Sequence, residues 1–127
     1  MEFLHTDNAP KAIGPYSQAV KVNGLLYTSG QIALTPKGEM CENDIKKQTR
    51  QIFANLKAIL NDNNSSLNEV VKINIFLTDM SDFGIVNVLM AEEFGDHKPV
   101  RSTIEVKGLP KNAMIEMDLI ATVVDYH

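Results

Sequence analysis

Apolar positions along the chain change their period several times, and each change marks an element. Val20-Lys21-Val22 and Gly24 to Ile32 are rich in apolar and β-prone residues, with Asn23-Gly24 between them. Asn-Gly tolerates the positive φ that a tight two-residue turn requires, so two strands meet there and the second ends near Gly30. From Asp44 to Leu60 the period becomes helical. Ile45, Ile52, Phe53, Leu56, Ile59 and Leu60 form one stripe, with Lys46, Lys47, Arg50 and Lys57 on other faces. Asn43 or Asp44 can cap this helix. The polar run from Asn61 to Ser66 reads as the loop after it. Glu69 to Leu77 alternates strictly, which places Val71, Ile73, Ile75 and Leu77 on one face of a strand. Phe83, Val86, Met90 and Phe94 then recur at spacings of three and four, behind the capping residues Thr78 to Asp82, and predict a second helix up to about Gly95. A strand starts near Arg101. Met114 to Val124 is the last, with Ile115, Met117, Leu119, Ala121 and Val123 on one face.

Two strands, room for a short third, then helix, strand, helix and two strands predict an α/β sandwich: one mixed sheet of about six strands with both helices packed on one face. Val70, Phe76, Met114 and Ile120 fall opposite the core-facing rows. A second, partly apolar face of this kind predicts burial against another subunit. At 127 residues, 44% hydrophobic and 22% charged, the chain fits one domain over residues 1–127 with a core of its own.

Lys+Arg 12 against Asp+Glu 16 gives 12 − 16 = −4. That balance disfavours nucleic acid, whose phosphates call for clustered cations, and Lys46-Lys47 reads as a solvated helix face. Cys41 is the single cysteine, so an intrachain disulfide is excluded. The start Met1-Glu2-Phe3-Leu4-His5 lacks the cationic and apolar regions of a signal peptide, and no apolar run approaches the roughly 20 residues that span a bilayer. The expectation is a cytoplasmic protein without a membrane partner.

His5, His97 and His127 stand isolated, so metal-ligand spacing is absent and no metal is expected. Neither a glycine-rich phosphate loop nor a nucleophile elbow is present. The informative segment is Lys98-Pro99-Val100-Arg101-Ser102-Thr103, followed by Leu109-Pro110 and Ile115-Glu116-Met117. An arginine at the mouth of a strand offers a planar fork of donors to a carboxylate. A glutamate inside an apolar strand needs a function or a partner. Thr103 projects to the same side as Arg101. Ser29-Gly30 ends a strand where an N–H or a hydroxyl is free for a ligand. Tyr16, behind the turn Gly14-Pro15, is a candidate pocket wall. Asn87 borders the stripe of the second helix. Taken singly, each also has a plain structural reading: a surface arginine, an interface glutamate, an ordinary strand threonine, a strand end, a core-edge tyrosine or a loop cap.

Together they resemble the Rid (YjgF-type) family of reactive-intermediate, or enamine/imine, deaminases. The likeness runs through Asn8-Ala9-Pro10, Ile13-Gly14-Pro15-Tyr16-Ser17-Gln18-Ala19, Thr28-Ser29-Gly30-Gln31-Ile32, Gln51 to Leu56, Val70-Val71-Lys72, Phe76-Leu77, Pro99 to Thr103, and Leu109-Pro110 through Ile115-Glu116 to Ala121. The resemblance implies a chorismate-mutase-like fold, a homotrimer with sites in the clefts between subunits, and cofactor-free hydrolysis of 2-iminoacids or their 2-aminoacrylate-type enamines to 2-ketoacids and ammonia. It implies that Arg101 holds the substrate carboxylate, that Glu116 lies near the attacking water, and that Tyr16, Ser29, Gly30, Asn87 and Thr103 line the pocket. Many members of the deaminase subgroup carry cysteine where this chain has Thr103. Arg101 and Glu116 are then expected to be two walls of one pocket, completed by Tyr16 or Ser29-Gly30 from elsewhere in the trimer. Two other readings attach to the family: a non-catalytic module sensing a small carboxylate, and a ribonuclease or translation inhibitor.

Overall fold

The structure is a computed structural model that describes residues 1–124; His127 lies outside the described residues. Strands β1 (Glu2–Leu4), β2 (Ala19–Val22) and β3 (Leu25–Thr28) precede helix α1 (Ile45–Asn61). Strand β4 (Val70–Leu77), helix α2 (Phe83–Phe94), strand β5 (Val100–Glu105) and strand β6 (Ile115–Thr122) follow. They form one six-stranded sheet in the order β1-β2-β3-β6-β4-β5, in which only β4 and β5 run parallel. Both helices cover one face, as the sequence pattern predicts, and the core lies between them and the sheet: Ile52, Phe53, Leu56, Ile59 and Leu60 of α1 pack with Ile73, Ile75, Leu77, Ile115, Met117 and Leu119.

Local chemistry explains the boundaries. Asn23 and Gly24 adopt φ of 51° and 76°, as the tight hairpin turn between β2 and β3 requires. Asp44 caps α1 by accepting from the Lys47 N–H at 3.0 Å. Gly95, at φ 61°, ends α2. Strand β1 has no signal in the sequence, because three residues carry too little periodicity to register.

One part of the expected pattern is corrected. Val70, expected on the open face, is 1% exposed in the core, while Val71, expected in the core row, is 46% exposed. The register between β4 and β6 shifts at this point, from Val70 opposite Ala121 to Lys72 opposite Ile120. Val71 is the extra residue of a β-bulge, and a bulge reverses which side chain faces in.

The face away from the helices carries a row across all six strands: Phe3, Val20, Tyr27, Ile120, Lys72 and Val100 are successive cross-strand partners. Phe76, Glu116 and Ile104 form a parallel row beside it. Phe3, Tyr27, Val100 and Ile104 are exposed, so this is a broad, largely apolar surface.

Candidate functional site

Register decides where the candidate residues point. On β5, Arg101 lies opposite Ile73 and Thr103 opposite Ile75, both core-facing residues, so the two project toward the helix side of the sheet edge. There α2 receives the guanidinium. Arg101 Nη1 donates to Asn87 Oδ1 at 2.6 Å and contacts Met90 Sδ at 3.5 Å, and the guanidinium carbon lies 5.1 Å from the centre of the Phe83 ring. The ring face and the amide oxygen hold the cation in place while the rest of the fork stays exposed. Asn87 therefore acts on Arg101. A cavity of about 390 Å³ opens beside them, bounded by Met90, Phe94, His97 and Pro99. His97 Nε2 donates to the Val70 carbonyl at 2.7 Å and ties this wall to the bulge. The Thr103 hydroxyl is buried with no hydrogen-bond partner among the described residues.

Glu116 points the other way. Its neighbours Ile115 and Met117 are wholly buried in the core, so strand alternation sends Glu116 to the open face, opposite Phe76. It lies in a second cavity of about 390 Å³, walled by Pro10, Ile13, Tyr16, Ile32 and Lys111. Gln31 and Met117 exchange backbone hydrogen bonds of 2.7 and 3.1 Å, which brings Gly30 onto the carboxyl. A Cβ at Gly30 would lie 2.7 Å from Glu116 Oε2, so only glycine leaves this space. Burial, and then the negative charge of Asp118 two residues on, raise the Glu116 carboxyl above its ordinary range. No lysine or arginine forms an ion pair with it among the described residues.

Tyr16 folds back over the turn at Gly14, whose φ is 131°. The Tyr16 N–H bonds the Gly14 carbonyl at 2.9 Å, and the ring forms part of the Glu116 cavity. Ser29 departs from expectation. Its hydroxyl donates to the Ser17 carbonyl at 2.5 Å and its N–H to the Gln18 carbonyl at 2.9 Å, so both donors are committed. The available donor at this strand end is the Gly30 N–H, which makes no backbone hydrogen bond among the described residues.

The candidates thus form two groups. Arg101, Asn87 and Thr103 meet at the helix side of the sheet edge; Tyr16, Gly30 and Glu116 meet on the opposite face. One chain does not bring Arg101 and Glu116 into a single pocket. Phe83 beneath Arg101 and Lys111 on the wall of the Glu116 cavity carry no functional signal in the sequence. Phe83 read only as part of an apolar stripe, and the left-handed backbone of Lys111, with φ 56°, has no sequence signal in a lysine.

Residues 6–123 match the family described as Endoribonuclease L-PSP. A RutC family protein of Pyrococcus horikoshii is 50% identical over 121 residues, covering 94% of this chain and 96% of the relative. The structure of YyfA, a Yersinia pestis protein of the conserved Rid family, superposes with a TM-score of 0.94 at 46% identity, covering 96% of this chain and 98% of that one. TdcF of E. coli, solved with bound serine, superposes with a TM-score of 0.92 at 35% identity, covering 98% of this chain and 100% of that one. With its fold and nearly its whole length shared with these proteins, the chain belongs to the Rid (YjgF/RutC) family.

Proposed function

We propose that the chain hydrolyses 2-iminoacids and their 2-aminoacrylate-type enamine tautomers to 2-ketoacids and ammonia. It does so as a homotrimer in which the Arg101 group of one protomer faces the Glu116 group of the next. The observation that supports this reading is Glu116: a half-buried carboxyl without a counter-ion among the described residues, in a largely apolar cavity against a glycine, suits proton transfer better than a structural role. The exposed apolar rows of the open face support assembly, since a partner would bury them. A serine bound to TdcF is the kind of small carboxylate that Arg101 would take.

The chemistry asks little of the protein. An imine carbon is already electrophilic, so a potent nucleophile is not required. The free donors of Arg101 pair with the substrate carboxylate and fix C2. The Gly30 N–H is a further donor beside it. The Glu116 carboxylate takes a proton from water as the oxygen bonds to C2, and the C=N π pair moves onto nitrogen. The protonated Glu116 returns that proton to nitrogen, giving the carbinolamine; the second water proton then passes from the hydroxyl through Glu116 to nitrogen, and the C–N bond breaks as the carbonyl forms, so ammonia leaves. Water is consumed, and neither a cofactor nor a metal takes part. A raised carboxyl pKa suits the second half of this cycle, where Glu116 must hold a proton.

The test is pyruvate release from freshly generated 2-aminoacrylate. Purified protein accelerates it and Arg101→Ala abolishes the acceleration; full activity in that variant removes Arg101 from the site. Saturable binding of small carboxylates without turnover would favour the sensing module instead. For the endoribonuclease that the family description names, RNA cleavage would have to survive Arg101→Ala, and the net charge of −4 argues against it.

A further inference from the structure

The wall of the Glu116 cavity from Pro10 to Tyr16 contains neither helix nor strand. Such a segment keeps its shape only through bonds to its backbone. Gln18, immediately before β2, supplies them. The residue is 2% exposed. Its Oε1 accepts from the Thr6 N–H at 2.7 Å, and its Nε2 donates to the carbonyls of Pro10 at 2.8 Å and Thr6 at 3.0 Å, with Ala9 at 3.5 Å. The Gln18 carbonyl accepts from Ser29, which fixes its own backbone to the end of β3. Asp62, at the end of α1, holds the same stretch from outside, accepting from Thr6 Oγ1 at 2.5 Å and Asn8 Nδ2 at 2.9 Å. From Lys11 to Gly14 the one side-chain bond to the backbone among the described residues is a long one, from the Ile13 N–H to the Tyr16 hydroxyl at 3.4 Å.

We infer that Gln18 is a positioning residue: its amide staples Thr6 and Pro10 together, fixes the Pro10–Tyr16 wall, and thereby sets how tightly the cavity grips the substrate's side chain, without touching the reacting atoms. Nothing in the core demands an amide here. A buried amide with every group satisfied defines one arrangement, and a partly satisfied one is costly. Gln18→Glu keeps the shape and the acceptor for the Thr6 N–H but turns an oxygen toward the carbonyls of Pro10, Thr6 and Ala9, so it removes the bonds that Nε2 donates.

The kinetic part of this inference rests on the proposed function; the structural part does not. The experiment compares wild type with Gln18→Glu in two measurements: hydrogen exchange at the backbone amides of residues 9–17, and steady-state hydrolysis of 2-iminobutanoate. Faster exchange confined to that segment is expected, together with a KM raised about tenfold, equivalent to about 1.4 kcal/mol, and kcat within about twofold. Unchanged exchange in 9–17, or a fall in kcat at constant KM, overturns the inference. If the variant does not fold, the wild-type Gln18 side-chain amide protons decide: protection supports the staple, and exchange at the free rate overturns it. An inactive wild type sinks the proposed function and leaves the exchange result to settle Gln18.

Discussion

Replacing Gly30 by alanine adds one methyl group at the point where the two strand ends meet over Glu116. Gly30 has no positive φ, so its backbone accepts alanine and the effect is steric. The new Cβ would lie 2.7 Å from Oε2, 2.8 Å from Cδ and 3.2 Å from Cγ of Glu116. Ordinary contact begins at 3.4 Å, so the carboxyl must retreat by 3.4 − 2.7 = 0.7 Å or more. The displaced atoms are the far end of a side chain that borders a cavity, so the move costs little folding energy. It costs catalysis instead: a misplacement of about 1 Å lowers rates on the order of 10²-fold. The expectation is a kcat for 2-aminoacrylate hydrolysis reduced about 100-fold with Tm within about 3 °C of wild type. The double variant Gly30→Ala/Glu116→Asp, shorter by one methylene, should recover part of the loss over Glu116→Asp alone. A Gly30→Ala enzyme with wild-type kcat would refute the reasoning, because Glu116 would then not need its observed position.

Glu116→Gln should lower kcat by about 10²- to 10⁴-fold and yet stabilise the fold at neutral pH. The folded carboxyl binds its proton more tightly than the unfolded one, so its ionisation penalty is complete above the folded pKa. The penalty disappears as pH falls toward the ordinary, unfolded value of 4.5. Melting curves from pH 8 to 4 check this, and a variant whose advantage grows on acidification contradicts it. Val70→Ala should cost about 2 kcal/mol in chemical denaturation, and Val71→Ala under about 0.5 kcal/mol; the reverse order would place the bulge elsewhere. Thr103→Val removes a buried hydroxyl that has no partner, so Tm should hold or rise; a higher KM alongside it would show that the hydroxyl serves the substrate.

Much of the fold is legible because it rests on local rules. Asn23-Gly24, the stripe of α1 and the alternation of β6 each encode their own element. The bulge at Val71 does not, since it is a property of how β4 and β6 pair and not of either strand. The same distinction governs the site. The face of Glu116 follows from its neighbours Ile115 and Met117. The face of Arg101 does not follow from β5 alone, where Val100 and Ile104 are the apolar residues and a reader would turn them inward. Pairing with β4 puts them on the open face and sends Arg101 to α2. That Arg101 and Glu116 part company was therefore invisible until the register was known. Gln18 stayed hidden for a similar reason: its partners are backbone atoms of Thr6, Ala9 and Pro10, eight to twelve residues away, which composition does not record.

The strand order has a consequence for synthesis. Strand β6, which follows the other five in the chain, pairs on one side with β3 and on the other with β4, and those two do not pair with each other. Until Ile115 to Thr122 arrive, the β1-β2-β3 meander and the β4-α2-β5 unit are halves without a shared hydrogen bond in the sheet. The sheet closes only once β6 is in place, and from the completion of β4 until then β3 and β4 each carry an open strand edge.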